Sequence, residues 1–221
     1  MMHDTKDNIC KEGRPIVGLA LIMIPDISGF TRLVNQTEIS HSQIIIAQLL
    51  ETLLQHTILN LKVSEIEGDA ILFYVFNDPP PPLEEVIEQC KIMFQSFHRK
   101  LKTFSRKTGC RCGACSTLRE LTLKFIIHYG ELGSVMVGDY CKLFGINLII
   151  AHRLLKNEIP LREYVLFTDK FLNCYKHTDL QNYIDWARVN NGKAAYDHIG
   201  NVSYQYASLK PLLDHSQIEN N

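Results

Sequence analysis

The stretch Ile24-Pro-Asp-Ile-Ser-Gly-Phe-Thr31 is the part of the sequence that decides the fold. It closes an apolar run over residues 17–24, which is typical of a strand buried on both faces. Asp26 is expected just past the end of that strand, where a carboxylate can face a ligand. Ser28 and Gly29 are expected to open a short helix, whose unpaired backbone N–H groups favour phosphate binding.

A second acidic motif follows in Glu65-Ile-Glu-Gly-Asp69. Gly68 and Asp69 separate two strand-like runs, residues 61–67 and 70–76, as a tight hairpin would. If the first and third strands are antiparallel, Asp26 and Asp69 meet at one end of the sheet. Two carboxylates beside a phosphate site indicate Mg²⁺ and a nucleoside triphosphate. The alternatives are ordinary structural roles, with Asp26 as a helix cap and Asp69 as a hairpin residue.

Composition narrows the class of protein. The 221 residues suit one domain, and 46% hydrophobic with 21% charged residues is typical of a globular protein. With 23 basic and 24 acidic residues the net charge is −1, so neither nucleic acid nor an anionic membrane is an expected partner. No signal peptide and no run of ~18–20 apolar residues is evident, which predicts a cytoplasmic protein. We expect a flexible leader (1–14), a single domain (15–210) and a flexible tail (211–221).

The order of predicted elements indicates an α+β fold. Apolar periodicity predicts helices over residues 41–59, 83–104 and 145–156. Strands are predicted over 15–25, 61–67, 70–76, 121–130 and 164–167, with 133–138 as a short partner and 202–207 as an edge strand. This order, β-α-α-β-β-α-β with extra C-terminal elements, corresponds to a ferredoxin-like core whose first and third strands lie side by side in the middle of the sheet.

Seven cysteines are expected to be reduced thiols or metal ligands in a reducing compartment. Cys110, Cys112 and Cys115 are spaced as ligands of a structural Zn²⁺ that would hold a loop together. The fourth ligand would come from elsewhere, with Cys90, His98 and Cys141 as candidates. The alternative is a set of free thiols in a loop.

Four motifs in this order resemble the catalytic domain of the class III nucleotidyl cyclases over roughly residues 17–170. The motifs are Asp26-Ile-Ser-Gly-Phe-Thr31, Glu65-Ile-Glu-Gly-Asp69, Ile126-Ile-His-Tyr-Gly-Glu131 and Gly145-Ile-Asn-Leu-Ile-Ile-Ala-His-Arg153. The Cys-x-Cys-x-x-Cys loop and His152-Arg-Leu-Leu-Lys-Asn157 are similar to a little-characterised bacterial branch of that superfamily.

The resemblance implies two Mg²⁺ or Mn²⁺ ions held by Asp26, Asp69 and the Ile27 carbonyl. It also implies a homodimer in which one chain supplies the metal ligands and the other contacts the base. Arg153 would steady the reacting phosphorus, and Glu65 and Lys142 would read the base edge. Triphosphate binding would fall to Ser28, Gly29, Phe30 and Thr31.

The resemblance is incomplete in the second half of the chain. Ile149 stands where the family carries a catalytic asparagine, and residues 197–200 offer no equivalent of its late phosphate-binding lysine. Two functions follow: a cyclase that forms a cyclic 3′,5′-nucleotide, or a degenerate cyclase fold that binds a nucleotide or a protein without turnover. A third is a zinc-stabilised interaction domain that docks a partner through its cysteine loop.

Overall fold

The computed structural model describes residues 16–36, 38–107, 118, 120–138, 140–176 and 178–215. The strands are β1 (Val17–Ser28), β2 (Lys62–Glu67), β3 (Ala70–Phe76), β4 (Thr122–Val137), β5 (Tyr140–Phe144), β6 (Tyr164–Thr168), β7 (Val189–Tyr196) and β8 (Gly200–Ser208). The helices are α1 (Phe30–Gln36), α2 (Ile39–Gln55), α3 (Leu83–Lys107), α4 (Ile146–Leu154), α5 (Asp169–Leu172) and α6 (Leu212–His215), with one 3₁₀ turn at Leu180–Asn182.

One sheet organises the described chain. Its strand order is β2-β3-β1-β4-β6-β8-β7, and β5 pairs with the far end of β4. β1 lies antiparallel to both β3 and β4 in the centre, whereas β4 and β6 are parallel. The α+β prediction and the central, adjacent position of the first and third strands are therefore confirmed.

The two faces of the sheet carry separate apolar cores. One face packs against α2 and α3 through a cluster that includes Met23, Phe73 and Phe125. The opposite face packs against α4 and holds Ile22, Ile24 and Ile126 among its buried residues, together with Ala151 and Leu154 of the helix itself. Because β1 is buried on both faces, its apolar run is continuous rather than alternating. α4 thus lies along β4, with a polar region at each of its ends.

Several element boundaries differ from the sequence-based expectations. β1 continues through Ser28, so Asp26 lies within the strand rather than past its end. Residues 133–137 continue β4, and the partner strand is β5 instead. β8 is not an edge strand, because β7 pairs with its outer side.

The remaining boundary findings concern the ends of the chain and its helices. Within the segment expected as a tail, residues 212–215 are helical and Leu212 is buried. The domain limits stay a prediction, and the leader over 1–14 lies outside the described residues. In the described part of the chain no helix combines the length and apolarity needed to cross a membrane.

Candidate functional site

Asp26 and Asp69 meet where β1 and β3 run side by side. Asp26 pairs with Ala70 in the register of these strands, and the Ile27 N–H donates to the Asp69 carbonyl at 3.0 Å. Gly68 takes a φ of +61°, a left-handed conformation that favours glycine and turns the β2–β3 hairpin tightly. The predicted meeting of the two carboxylates at one end of the sheet therefore matches the observed strand register.

The two aspartates line a cleft of about 410 Å³. We call it the acidic cleft, because four carboxylates face two lysines and one histidine among its lining residues. Residues from β1, β2, β3, β4 and the C-terminal end of α4 form it: Ile24, Asp26, Ser28, Gly29, Glu65, Glu67, Asp69, Ala70, Leu72, Lys124, His152, Leu155 and Lys156. Its volume falls in the range of small-molecule sites, roughly 300–1,000 Å³.

Lys124 of β4 reaches across the floor of the acidic cleft. Its ammonium lies 2.9 Å from Asp26 Oδ2 and donates to the Leu155 carbonyl at 2.9 Å. Both side chains of this ion pair are largely buried, at 15% and 14% exposure. Lys124 thus neutralises one of the two aspartates and connects the sheet to the end of α4.

The surroundings of Asp69 disfavour the charged form of its carboxyl. Burial raises the pKa of its carboxyl, and the nearby Asp26 carboxylate raises that pKa further. Lys124 opposes this effect more weakly. A carboxylate held beside another acid in a partly desolvated cleft is the environment that a bound cation relieves.

Glu65 and His152 form a second contact in the acidic cleft. Glu65 Oε1 lies 3.4 Å from His152 Nε2, and both side chains are about 30% exposed. The pair links the edge strand β2 to α4. Polar groups on this side are therefore accessible to a ligand, in contrast to the more deeply placed Asp26 and Lys124.

The other predicted site residues divide into two groups. Ile27 is fully buried in the core, and Phe30 packs against that core. Thr31 is exposed on α1 and, like Phe30, is absent from the cleft lining. Lys142 on β5 and Arg153 on α4 are also exposed and do not line the cleft. The Arg153 guanidinium instead lies over the Tyr196 ring, 5.7 Å from its centroid.

The predicted zinc ligands Cys110, Cys112 and Cys115 lie outside the described residues. Of the candidates for a fourth ligand, Cys90 is a buried free thiol whose pKa burial raises, and His98 bonds Glu163 at 2.7 Å. Cys141 is disulfide-bonded, so the expectation of thiols or metal ligands alone is wrong at this position. Across the described residues, no group of three or more His, Cys, Asp or Glu side chains is arranged to hold a metal ion.

A family model covers residues 46–164 of the chain, more than half of its length. The chain belongs to the DUF2652 family. That family is described as a protein of unknown function. The matched part includes β2, β3 and β4, and therefore Glu65, Asp69 and Lys124 of the acidic cleft. It leaves out Asp26, which β1 supplies.

This DUF2652 chain is also similar to a protein of Mycobacterium tuberculosis, the uncharacterized protein Rv2561/Rv2562. The two are 32% identical over 128 residues, which is 58% of this chain and 59% of the relative. The chain therefore aligns with less than two thirds of that relative's length.

Solved structures similar to this DUF2652 chain are catalytic domains of nucleotidyl cyclases. They include the adenylyl cyclase CyaB from P. aeruginosa, with a TM-score of 0.65 and 13% identity over 89% of this chain and 96% of that one. The guanylyl cyclase Cya2 matches with a TM-score of 0.62 and 13% identity, over 87% of this chain and 92% of that one. A third match is the catalytic core of a rhodopsin-guanylyl cyclase with converted specificity, in complex with ATPαS. Its TM-score is 0.61 and its identity 14%, over 88% of this chain and 98% of that one. The protein has the fold of class III cyclase catalytic domains.

Sequence reasoning did not assign four titratable residues of the acidic cleft to the site: Glu67, Lys124, His152 and Lys156. For Lys124 a signal was present: alternation along β4 puts it on the same face as Ile126, His128 and Gly130. A lysine on a face that is otherwise buried indicates a paired or functional charge. For His152, only its contact with Glu65 across 87 residues of sequence reveals its place in the cleft.

Proposed function

We propose that the protein binds a nucleoside triphosphate and a divalent cation in the acidic cleft and forms a cyclic 3′,5′-nucleotide with release of pyrophosphate. The observation that carries the proposal is the meeting of Asp26 and Asp69 on adjacent strands of a cyclase fold. In the reaction the ribose 3′-oxygen attacks the α-phosphorus in line and the bond to the β-phosphate oxygen breaks. The 3′-hydroxyl proton is lost to solvent.

The donor set of the acidic cleft fits Mg²⁺ or Mn²⁺. Asp26 and Asp69 offer hard carboxylate oxygens, and a cation between them would offset the burial and repulsion that raise the pKa of Asp69. The Ile27 carbonyl is the third proposed ligand, in line with the sequence prediction. When bound, the metal supplies charge neutralisation of the phosphates and activation of the attacking hydroxyl.

Phosphate binding is assigned to residues beside the aspartates. Ser28 and Gly29 line the cleft next to Asp26, and Gly29 takes a φ of +94° at the start of α1. Lys124 donates to Asp26 in the free protein, so a cation at Asp26 would release its ammonium toward the triphosphate oxygens. Lys156 lines the same cleft from beyond α4. Phe30 and Thr31 would contribute only backbone N–H groups.

The proposed active unit is a homodimer, because Arg153 and Lys142 lie outside the acidic cleft of their own chain. Around them the β4–β5 hairpin and α4 expose an apolar surface, in which Tyr140 is 77% and Phe144 71% exposed. Val137, Ile146 and Ile149 extend it. A contiguous apolar surface of this kind is typical of a protein interface. A second copy seated there would bring Arg153 and Lys142 to the substrate of its partner.

The test is incubation of the purified protein with Mn²⁺ and each of ATP, GTP, CTP and UTP, followed by mass spectrometry of the products. We expect a cyclic nucleotide from at least one of them. Asp26→Asn and Asp69→Asn should each lower the rate ~10²–10³-fold or more, the usual cost of removing a preorganised polar group from a site. Asp185→Asn, at an exposed aspartate outside the cleft, is the matched control and should retain full activity. Absence of product with all four substrates would reject cyclisation.

A second candidate function is nucleotide binding without turnover. It is favoured by Ile149, an apolar and 48% exposed residue where the resemblance implies an asparagine. Calorimetry with a non-hydrolysable triphosphate and Mn²⁺ separates the two functions. Binding that depends on Asp26 and Asp69, without product, supports this second function; absence of binding rejects both.

A further inference from the structure

A second cleft, of about 380 Å³, lies at the opposite end of α4 from the acidic cleft. We call it the Lys170 cleft, after the one lysine among its lining residues. β4, α4, the junction of β6 with α5, and β8 contribute to it: His128, Ile150, Thr168, Asp169, Lys170, Asn173, Ile199, Asn201, Val202 and Ser203. None of these residues has a part in the proposed cyclase chemistry.

A buried polar network holds the ammonium of Lys170 in place. Asn147, which is 3% exposed, accepts a hydrogen bond from Lys170 Nζ at 2.8 Å through its Oδ1. The same oxygen lies 3.1 Å from His128 Nε2, and the Asn147 amide nitrogen donates to the Glu131 carbonyl at 2.8 Å. Gly130 leaves the space for this amide, since a Cβ there would lie 2.4 Å from Asn147 Cγ. The fold thus sets the position of the Asn147 oxygen that Lys170 contacts.

The network leaves Lys170 with hydrogen-bonding capacity. Burial lowers the pKa of His128 to about 4, so its ring is neutral and bonds Thr168 Oγ1 at 2.8 Å and Asn147. An ammonium group has three N–H donors, and Asn147 accepts from one of them. The other two donors are available to an anionic group in the cleft that Lys170 lines.

The lining defines the chemical class of the ligand. Beside Lys170 stand the carboxyl of Asp169, whose pKa burial raises, and three neutral polar side chains, Asn173, Asn201 and Ser203. An anionic group suits Lys170, whereas Asp169 requires a hydrogen-bond donor such as a hydroxyl. Ile150, Ile199 and Val202 offer apolar contact for a carbon skeleton. A volume of about 380 Å³ limits the ligand to a small metabolite.

We propose that the Lys170 cleft binds a small hydroxylated organic anion, a sugar phosphate or sugar acid, with its anionic group on Lys170 and its hydroxyls on Asp169 and the asparagines. The site does not depend on the proposed cyclase function. It lies at the other end of α4, and none of its lining residues is shared with the acidic cleft.

The test is calorimetric titration of the full chain with ribose 5-phosphate, gluconate and inorganic phosphate. We expect saturable binding of ribose 5-phosphate or gluconate by the wild type. Preference for one over the other tells whether phosphate or carboxylate is the anionic group. Lys170→Met should weaken binding at least tenfold, whereas Lys193→Met, at an exposed lysine of β7, should leave it unchanged.

Asn201→Leu provides a second variant, which fills the cleft without removing a member of the buried network. It should abolish binding while circular dichroism and thermal unfolding stay as in the wild type. Asp26→Asn should bind as the wild type does, so a failed cyclase assay leaves this result interpretable. Absence of binding of both sugar anions, or binding that survives both Lys170→Met and Asn201→Leu, overturns the proposal. Binding of inorganic phosphate alone also overturns it.

Discussion

The two ends of α4 use polar residues in opposite ways. At its first turn, Asn147 joins His128, Lys170 and the Glu131 carbonyl in a network whose central groups are almost wholly buried. At its last turn, His152 and the Leu155 carbonyl contact Glu65 and Lys124 at the border of the acidic cleft. We call the first the closed end, because its network is buried beneath the Lys170 cleft, and the second the open end, because its groups line the acidic cleft; both rest on the same face of β4.

The difference lies in the charge of the groups and in how completely they are paired. The closed end is built around three buried neutral side chains, His128, Asn147 and Thr168, with Lys170 as the charged group at its border, and such networks fix a structure in one arrangement. The open end carries four carboxylates that its two lysines do not balance. An excess of like charge in a partly desolvated cleft lowers stability unless a cation binds. The closed end therefore positions α4, and the open end is available for chemistry.

Replacement of Lys124 by methionine should change the free energy of unfolding the most. It leaves Asp26 without its buried partner, which should lower the free energy of unfolding by about 3 to 4 kcal/mol. A divalent cation binds the folded state alone, so Mn²⁺ at a hundredfold excess over its Kd should restore about 2 to 3 kcal/mol. Urea unfolding at pH 7.5, with and without Mn²⁺, measures both quantities.

The matched control for Lys124 is Lys142→Met, at an exposed lysine outside the cleft. This variant should change the free energy of unfolding little and should respond to Mn²⁺ as the wild type does. If Lys124→Met loses stability and Mn²⁺ restores none of it, the acidic cleft is not a cation site.

The next effect concerns the closed end. Asn147→Ala leaves the His128 ring N–H and the Glu131 carbonyl without their buried partner, at an expected cost of about 2 to 3 kcal/mol. Mn²⁺ should stabilise this variant only as much as it stabilises the wild type, and less than it stabilises Lys124→Met, because no carboxylate has been freed. Urea unfolding of both variants side by side tests the comparison directly. A gain from Mn²⁺ in Asn147→Ala equal to that in Lys124→Met would show that the two ends are not distinct.

The central part of the fold and the meeting of Asp26 with Asp69 could be predicted from sequence. Continuous apolar runs identified β1 and β3, and the Gly68–Asp69 turn fixed the hairpin that brings Asp69 beside Asp26. These signals are local, because a buried strand and a tight turn impose their own residue patterns. Together with these signals, the order of the four motifs allowed the fold to be assigned.

The remaining features depend on contacts between distant segments. β7 was missed since Val189–Tyr196 contains two asparagines and a glycine, residues depleted in strands, and it is held by pairing with β8. Asn147 links β4, α4 and α5 through His128 and Lys170. No local pattern specifies such a network. The sequence feature that points to this network is the alternation that puts Lys124, His128 and Gly130 on one face of β4.

The smallest of these effects is a pH dependence that His128 gives to the closed end. The pKa of His128 is about 4 in the folded protein, below the value of about 6.5 for an unfolded histidine. Protons therefore bind the unfolded chain preferentially as the pH falls. The stability that His128 contributes is complete above pH 6.5 and is lost as the pH falls toward 4.

Between pH 7 and pH 5 this loss should amount to about 2 kcal/mol. The measurement is urea unfolding of the wild type and of His128→Gln at both pH values. The variant is less stable at pH 7, but it should lose about 2 kcal/mol less than the wild type between the two pH values, because glutamine does not titrate. Lys193→Met, at an exposed lysine of β7, is the control and should keep the pH dependence of the wild type. Equal losses in the wild type and His128→Gln would mean that the closed end admits water and protons, and that the two ends of α4 differ less than their packing implies.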